Sequence, residues 1–135
     1  MQNYDSALLL GRLLASAIFI LGGYGKLTAA VATTAYFAKI GLPLPDIAYY
    51  VAVAVELGGG LLFLVGFQTR LVAIVLAVFC VATALIAHLD FAVREQMINF
   101  MKNMCMAGGF LAFVAAGAGA FSVDGLMRTR APTRV

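Results

Sequence analysis

The sequence predicts an all-α integral membrane protein, a four-helix bundle with a short interfacial helix between spans 1 and 2. Three observations carry that expectation. Charged residues make up only 11% of the 135-residue chain, against roughly 25% in a soluble domain, too few to coat a water-facing surface. Apolar residues make up 64% and mean hydropathy is +1.02. Four segments approach the ~20 apolar residues that cross a ~30 Å hydrocarbon core as helix.

Those segments are residues 7–24, 47–67, 71–87 and 98–121. Lipid offers the backbone no hydrogen-bond partners, so each must be helical. The runs are long and lack the alternation of a transmembrane β-barrel. The first, preceded by MQNYDS and carrying Arg12, lacks the basic start of a cleavable signal peptide and is expected to stay. The stretch LTAAVATTAYFAKIGLPLPD follows it. Thr28 offers an N-cap and Gly41 a C-cap, with Pro43 and Pro45 beyond. Val31, Ala35, Tyr36, Phe37 and Ile40 form a loosely apolar face between them, the pattern of a helix lying at the membrane surface. FQTR turns span 2 into span 3, and HLDFAVREQ joins spans 3 and 4. Residues 1–125 read as one transmembrane domain, and residues 126–135, LMRTRAPTRV, as a basic flexible tail. Gly108, Ala112, Ala116 and Ala120 recur at every fourth position, and Gly58, Gly59 and Gly60 fall mid-span. Small residues of this kind let membrane helices approach closely.

Four spans return both termini to one side. Arg70, Arg128, Arg130 and Arg134 fall there, with Arg12 one turn inside. Lys26, Lys39, Arg94 and Lys102 fall on the other. With the basic tail, the positive-inside rule assigns the termini to the cytoplasm. The net charge of +3 then reports topology and contact with anionic lipid. No aromatic-basic nucleic-acid module is present, so no nucleic-acid partner is expected.

Ionisable residues inside a span are costly and are expected to face inward and pair. Arg70, Ser122 and Asp124 lie level near the terminal side, where an Arg70–Asp124 ion pair would make a structural clasp; a lipid-headgroup or substrate site is the alternative. Lys26, His88, Asp90, Asn99, Lys102 and Asn103 gather near the other side. Asn99, Lys102, Asn103 and Met106 share a helix face, as do Arg12 and Lys26. Glu56 lies between the clusters, ~13 Å below the start of its span at 1.5 Å per residue. Arg12 from below, or Lys102 and Asn103 from above, are its expected partners. Two readings of Glu56 stand: a tie that locks helix register, or a proton-handling or ligand-facing carboxyl.

Several chemistries have no support. A single histidine cannot supply both axial ligands of a haem. Cys80 and Cys105 form no C-x-x-C and read as small hydrophobes. No metal-ligand cluster, phosphate loop, GxGxxG or GxSxG is present. No intrinsic cofactor or metal is expected.

The order of GRLLASAIFILGGYGKL, GLPLP, VELGGGLLFLVGFQTR, AHLD and NFMKNMCMAGGFLAFVAAGAGAFSVDG resembles the DoxX family of bacterial membrane proteins over residues 8–125. The resemblance implies a small four-helix protein of the cytoplasmic membrane. It also implies a link to membrane oxidoreductases, one relative being a subunit of a thiosulfate:quinone oxidoreductase. The matching positions are Arg12, Lys26, Glu56, Arg70, His88, Asn99, Lys102, Asn103, Ser122 and Asp124. The expected role is an accessory or quinone-interacting subunit, with other subunits or a second copy as partners. The alternative is a small-molecule or lipid carrier with a titrating Glu56.

Overall fold

The computed structural model describes residues 2–130, and their regular structure is helical. In chain order come α1 (Gln2–Thr28), α2 (Ala30–Lys39), α3 (Pro45–Val53), a π-helical segment (Ala54–Gly59), α4 (Gly60–Val65), α5 (Thr69–Ala87), α6 (Arg94–Ala116) and α7 (Val123–Arg130). The α3, π and α4 stretches run on as one rod. Four stretches, Tyr4–Thr28, Pro45–Val65, Thr69–Ala87 and Arg94–Ala116, are therefore long and apolar enough to cross a membrane. This is the four-helix membrane fold the composition predicts.

The ends differ from expectation for local reasons. α1 extends beyond the apolar run at both ends, with Asp5 in its first turn and Lys26 in its last. Those charges complement the helix dipole. Thr28 does not cap α2; its hydroxyl donates back to the Tyr24 and Gly25 carbonyls and closes α1. The fourth span stops at Ala116 rather than residue 121, because Gly117 and Gly119 both take φ 79°. That left-handed backbone ends an α-helix and is open to glycine. Of residues 126–135, read as a flexible tail, those through Arg130 are helical, and residues 131–135 lie outside the described residues. α7 forms because Ser122 caps it: its Oγ accepts from the Gly125 N–H at 3.0 Å.

The bundle packs around Phe63, Leu76, Cys80 and Phe110, all almost fully buried. Phe110 meets Phe19 and Phe63 edge-on at 5.3 and 5.1 Å, and Phe113 meets Phe63 at 5.0 Å. Such ring pairs add ~0.5–1.5 kcal/mol each beyond their burial. The broadest helix contact is α5 on α6, and α1 packs on the π segment and α4. Closeness there depends on Gly23, where an added Cβ would lie 2.6 Å from the Leu57 backbone nitrogen. The Gly108 stripe does not pack the bundle: Gly108 is exposed and has nothing near it. Ala107 and Phe110 face the core instead, since shape complementarity and not smallness alone selects the face. Cys105 is likewise exposed, while Cys80 is buried. Leu14 and Leu21, 69% and 71% exposed, present the apolar surface that lipid must cover.

Candidate functional site

Glu56 sits in the middle of the π segment. A turn of π-helix widens the hydrogen-bond spacing within a rod and is common at functional sites. The carboxylate is buried, and its Oε2 accepts from Lys26 Nζ at 2.7 Å. This is the ion pair among the described residues. Gly22 makes room for it, since a Cβ there would lie 3.2 Å from Oε2. The partner is thus Lys26, not Arg12 or Lys102. Height along the span cannot specify rotation about it, and the long Lys26 stem carries its charge back from the end of α1 toward mid-span.

A cavity of about 360 Å³ opens beside this pair. Val51, Ala52, Phe79, Ala82 and Ile86 give it apolar walls. Tyr36 and Phe37 of α2, with Ile40 just past its end, roof it. α2 ends in a left-handed Gly41, with the Gly41 N–H donating to Ala38 O and the Leu42 N–H to Phe37 O. That closure satisfies the last carbonyls and turns the chain toward α3. His88, just past the end of α5, also lines the cavity. Its Nδ1 lies 2.6 Å from Gln96 Oε1. Either ring tautomer can make this contact with the Gln96 amide, and Nε2 has no hydrogen-bond partner among the described residues. Polar groups therefore stand at mid-span and at the membrane edge of an otherwise apolar space.

A second cavity of about 200 Å³ lies on the other side of the pair, against Ile18, Phe19, Gly22, Asn103 and Met106. Lys26, Glu56, Phe79 and Thr83 line both cavities. The ion pair is a shared wall, reachable from two directions.

The terminal end holds a different polar cluster. Arg12 is fully buried. Its Nη1 donates to Leu64 O at 2.8 Å and its Nη2 to Phe121 O. It ties α1 to the unsatisfied carbonyls at the end of α4 and to the loop before α7, which is chemistry suited to a forked guanidinium. Gly66, at φ 70°, leaves space for that fork and for Ser122. The expected Arg70–Asp124 pair does not form. Asp124 Oδ1 and Oδ2 accept from the Gln68 and Thr69 N–H groups, each at 2.8 Å. Arg70 Nη2 donates to Ala115 O at 3.2 Å. The exposed N–H groups at the start of α5 compete successfully for the carboxylate because they converge on it in fixed directions. Burial alone pushes the Asp124 carboxyl up, but the Thr69 and Gln68 donors and the Arg128 charge outweigh it and hold it below the usual carboxylate value.

Of the polar residues singled out in the sequence, Lys26, Glu56 and His88 meet at the larger cavity, and Asn103 joins Lys26 and Glu56 at the smaller one. Asn103 Nδ2 donates to Asn99 O at 3.0 Å; Asn99 and Lys102 line neither cavity. Lys102 is exposed. Arg12, Arg70, Ser122 and Asp124 belong to the terminal cluster. Sequence reasoning missed Thr83, Phe79 and Gln96, which carry no signal beyond an apolar span and a polar loop. The roof was within reach, because Tyr36, Phe37 and Ile40 already marked the apolar face of α2.

Comparison with known proteins agrees with this architecture. A family model described as DoxX matches residues 7–89. The inner membrane protein YqjF of Escherichia coli K12 is 37% identical over 129 residues, covering 93% of this chain and 95% of that protein. The inner membrane protein YphA of the same organism is 37% identical over 122 residues, 87% of each chain. A shorter match, 34% over 76 residues, covers 56% of this chain and 55% of the Bacillus subtilis protein named "Putative oxidoreductase CatD". No solved structure matches.

Proposed function

The chain belongs to the DoxX family of inner-membrane proteins, and from that premise we propose that it is a quinone-interacting accessory subunit of a membrane oxidoreductase system. One observation carries the reading: an apolar cavity of about 360 Å³ with the Lys26–Glu56 pair on its wall and His88 near the membrane edge. Its volume falls within the roughly 300–1,000 Å³ of small-molecule sites, which pair apolar walls with a few placed polar groups. A quinone has a flat apolar ring, and oxygens that Lys26 Nζ and His88 could hold. When bound, it would supply the electron- and proton-carrying chemistry that no side chain here provides. Lys26 would orient the ring, Glu56 would fix the ammonium, and Tyr36, Phe37 and Ile40 would exclude water. The oxidoreductase name of the CatD relative supports the same direction.

The test is extraction of the protein from its own membranes in mild detergent, followed by native mass spectrometry and chromatography of bound small molecules. Co-purifying quinone and a partner subunit are the expected results. Absence of quinone, with no gain on adding it, would overturn the reading; a quinone-bearing homodimer would remove the accessory-subunit part alone. The same proposal takes both termini as cytoplasmic, on the strength of Arg70 and the basic tail with Arg128, Arg130 and Arg134. A C-terminal reporter active only outside the cytoplasm should stay silent.

A second reading, a small-molecule or lipid carrier with a proton-exchanging Glu56, draws on the two cavities that share the ion pair. Four spans would require a second copy for that task. Crosslinking that finds only monomer in lipid would exclude it.

A further inference from the structure

The Lys26–Glu56 pair sets a requirement on whatever oxygen approaches it. Lys26 Nζ has three N–H donors and no acceptor; an ionised carboxylate has only acceptors. One of those donors goes to Glu56 Oε2 at 2.7 Å. Among the described residues Glu56 has no other hydrogen-bond donor, and the pair remains partly open, with 28% of the Lys26 side chain and 11% of the Glu56 side chain exposed. That exposure faces the two cavities. A ligand oxygen seated against the pair therefore meets a cation that wants an acceptor and a carboxylate that wants a donor, side by side. A ring hydroxyl satisfies both, accepting from Lys26 through its lone pair and donating its proton to Glu56. A ring carbonyl satisfies only Lys26 and sets its oxygen against the carboxylate.

We infer that the Lys26–Glu56 pair selects the reduced, hydroxyl-bearing state of the ring over the oxidised, carbonyl-bearing state. This rests on the quinone reading above and adds to it the oxidation state that the site prefers. A hydrogen bond to a charged group inside a cavity corresponds to roughly a tenfold to hundredfold change in affinity. By linkage, a tenfold preference for the hydroquinone raises the midpoint potential of the bound couple by about 30 mV for two electrons. The site would then act as a receiver of hydroquinone rather than as a store of quinone. Apolar walls fit either state equally, because the two rings differ little in volume. Discrimination must come from the polar pair.

The experiment compares three ligands of one shape on the intact protein in lipid nanodiscs, under argon. They are a short-tailed benzoquinone, its hydroquinone, and the dimethyl ether of that hydroquinone, which cannot donate. The hydroquinone should bind at least about tenfold more tightly than the other two. In Glu56→Gln, whose amide both donates and accepts, the gap should close to within about threefold. Lys102→Gln, which removes an exposed charge that lines neither cavity, should leave the gap in place. Equal affinity for hydroquinone and quinone in the native protein would overturn the inference while leaving a quinone site standing. Tighter binding of the quinone would overturn it too. Failure of all three ligands to bind would remove the quinone reading itself. The native comparison needs no variant, so a poorly folding Glu56→Gln cannot rescue the idea.

Discussion

Asp124→Ala should unfasten the terminal end of the bundle, and the structure sets the size of the effect. The carboxylate joins α7 to the start of α5 through two N–H groups, Gln68 and Thr69, both at 2.8 Å. Removing one side-chain cap costs ~0.5–2 kcal/mol, typically ~1. Here two donors are left without their acceptor, and a negative charge worth ~0.3–1 kcal/mol leaves a helix N-terminus. Because Asp124 is only half-buried, water can replace part of the loss, and we expect a cost of about 2 kcal/mol. Asp124→Asn keeps one acceptor and should lose about half as much. Unfolding in mixed micelles at pH 7 measures both. The pH dependence adds a check of sign. The carboxyl is held below its usual value, so the folded state favours the ionised form. Its contribution is fully present above the ordinary aspartate value of about 3.9 and is lost as pH falls through the lower folded-state value. The native and Asp124→Ala proteins should converge in stability under acid. A loss under ~0.5 kcal/mol at neutral pH, or a gap that ignores acid, would refute the capping argument.

Lys26→Met and Glu56→Gln together should destabilise by about 1 kcal/mol less than the sum of the two alone, because the pair is buried but not sealed; additive unfolding energies would deny that the pair contributes. Gly23→Val should cost about 1–3 kcal/mol, since any Cβ there meets the Leu57 backbone at 2.6 Å. Gly108→Ala faces open space and should be neutral or stabilise by about 0.5–1 kcal/mol; thermal unfolding of the two side by side separates packing glycines from idle ones. A positive-φ glycine gives a third contrast: Gly66→Ala, at φ 70° and against Arg12 and Ser122, should destabilise where Gly108→Ala does not.

The spans were legible because lipid leaves the chain little choice. An apolar stretch of sufficient length must be helical, whatever it packs against. Their ends were less so. Two glycines closed span 4 early, and only their backbone angles, not their presence, distinguish Gly117 and Gly119 from the helical Gly108. Of the polar residues expected to face inward, Arg12 and Glu56 are buried and Lys102 is exposed, and one-dimensional depth misassigned their partners. Glu56 and Lys26 belong to different levels by residue number, yet a flexible stem joins them. Arg12 was expected to seek a carboxylate and instead holds carbonyls, because helix ends offer acceptors that no residue letter displays. Ser122 followed by Val123, Asp124 and Gly125 is a readable helix start, and the nearness of Arg70 in height hides it behind an apparent ion pair. The π segment has no sequence signature beyond the unusual Glu56 and the glycines beside it. Asp5, Asp46 and Glu95 stand in the first turns of their helices, and the π segment's presence at the one carboxylate deep within a span is the feature that turned an odd residue into a site.

Saturable binding of a short-tailed hydroquinone to the protein in nanodiscs, with and without Ala82→Phe, tests the account most directly. Ala82 lines the larger cavity and not the smaller, so a phenyl ring there fills the proposed site while leaving the Lys26–Glu56 pair intact. The account predicts one saturable site in the native protein and a loss of affinity of at least about tenfold in the variant. Unchanged binding in Ala82→Phe, or none in the native protein, would contradict it.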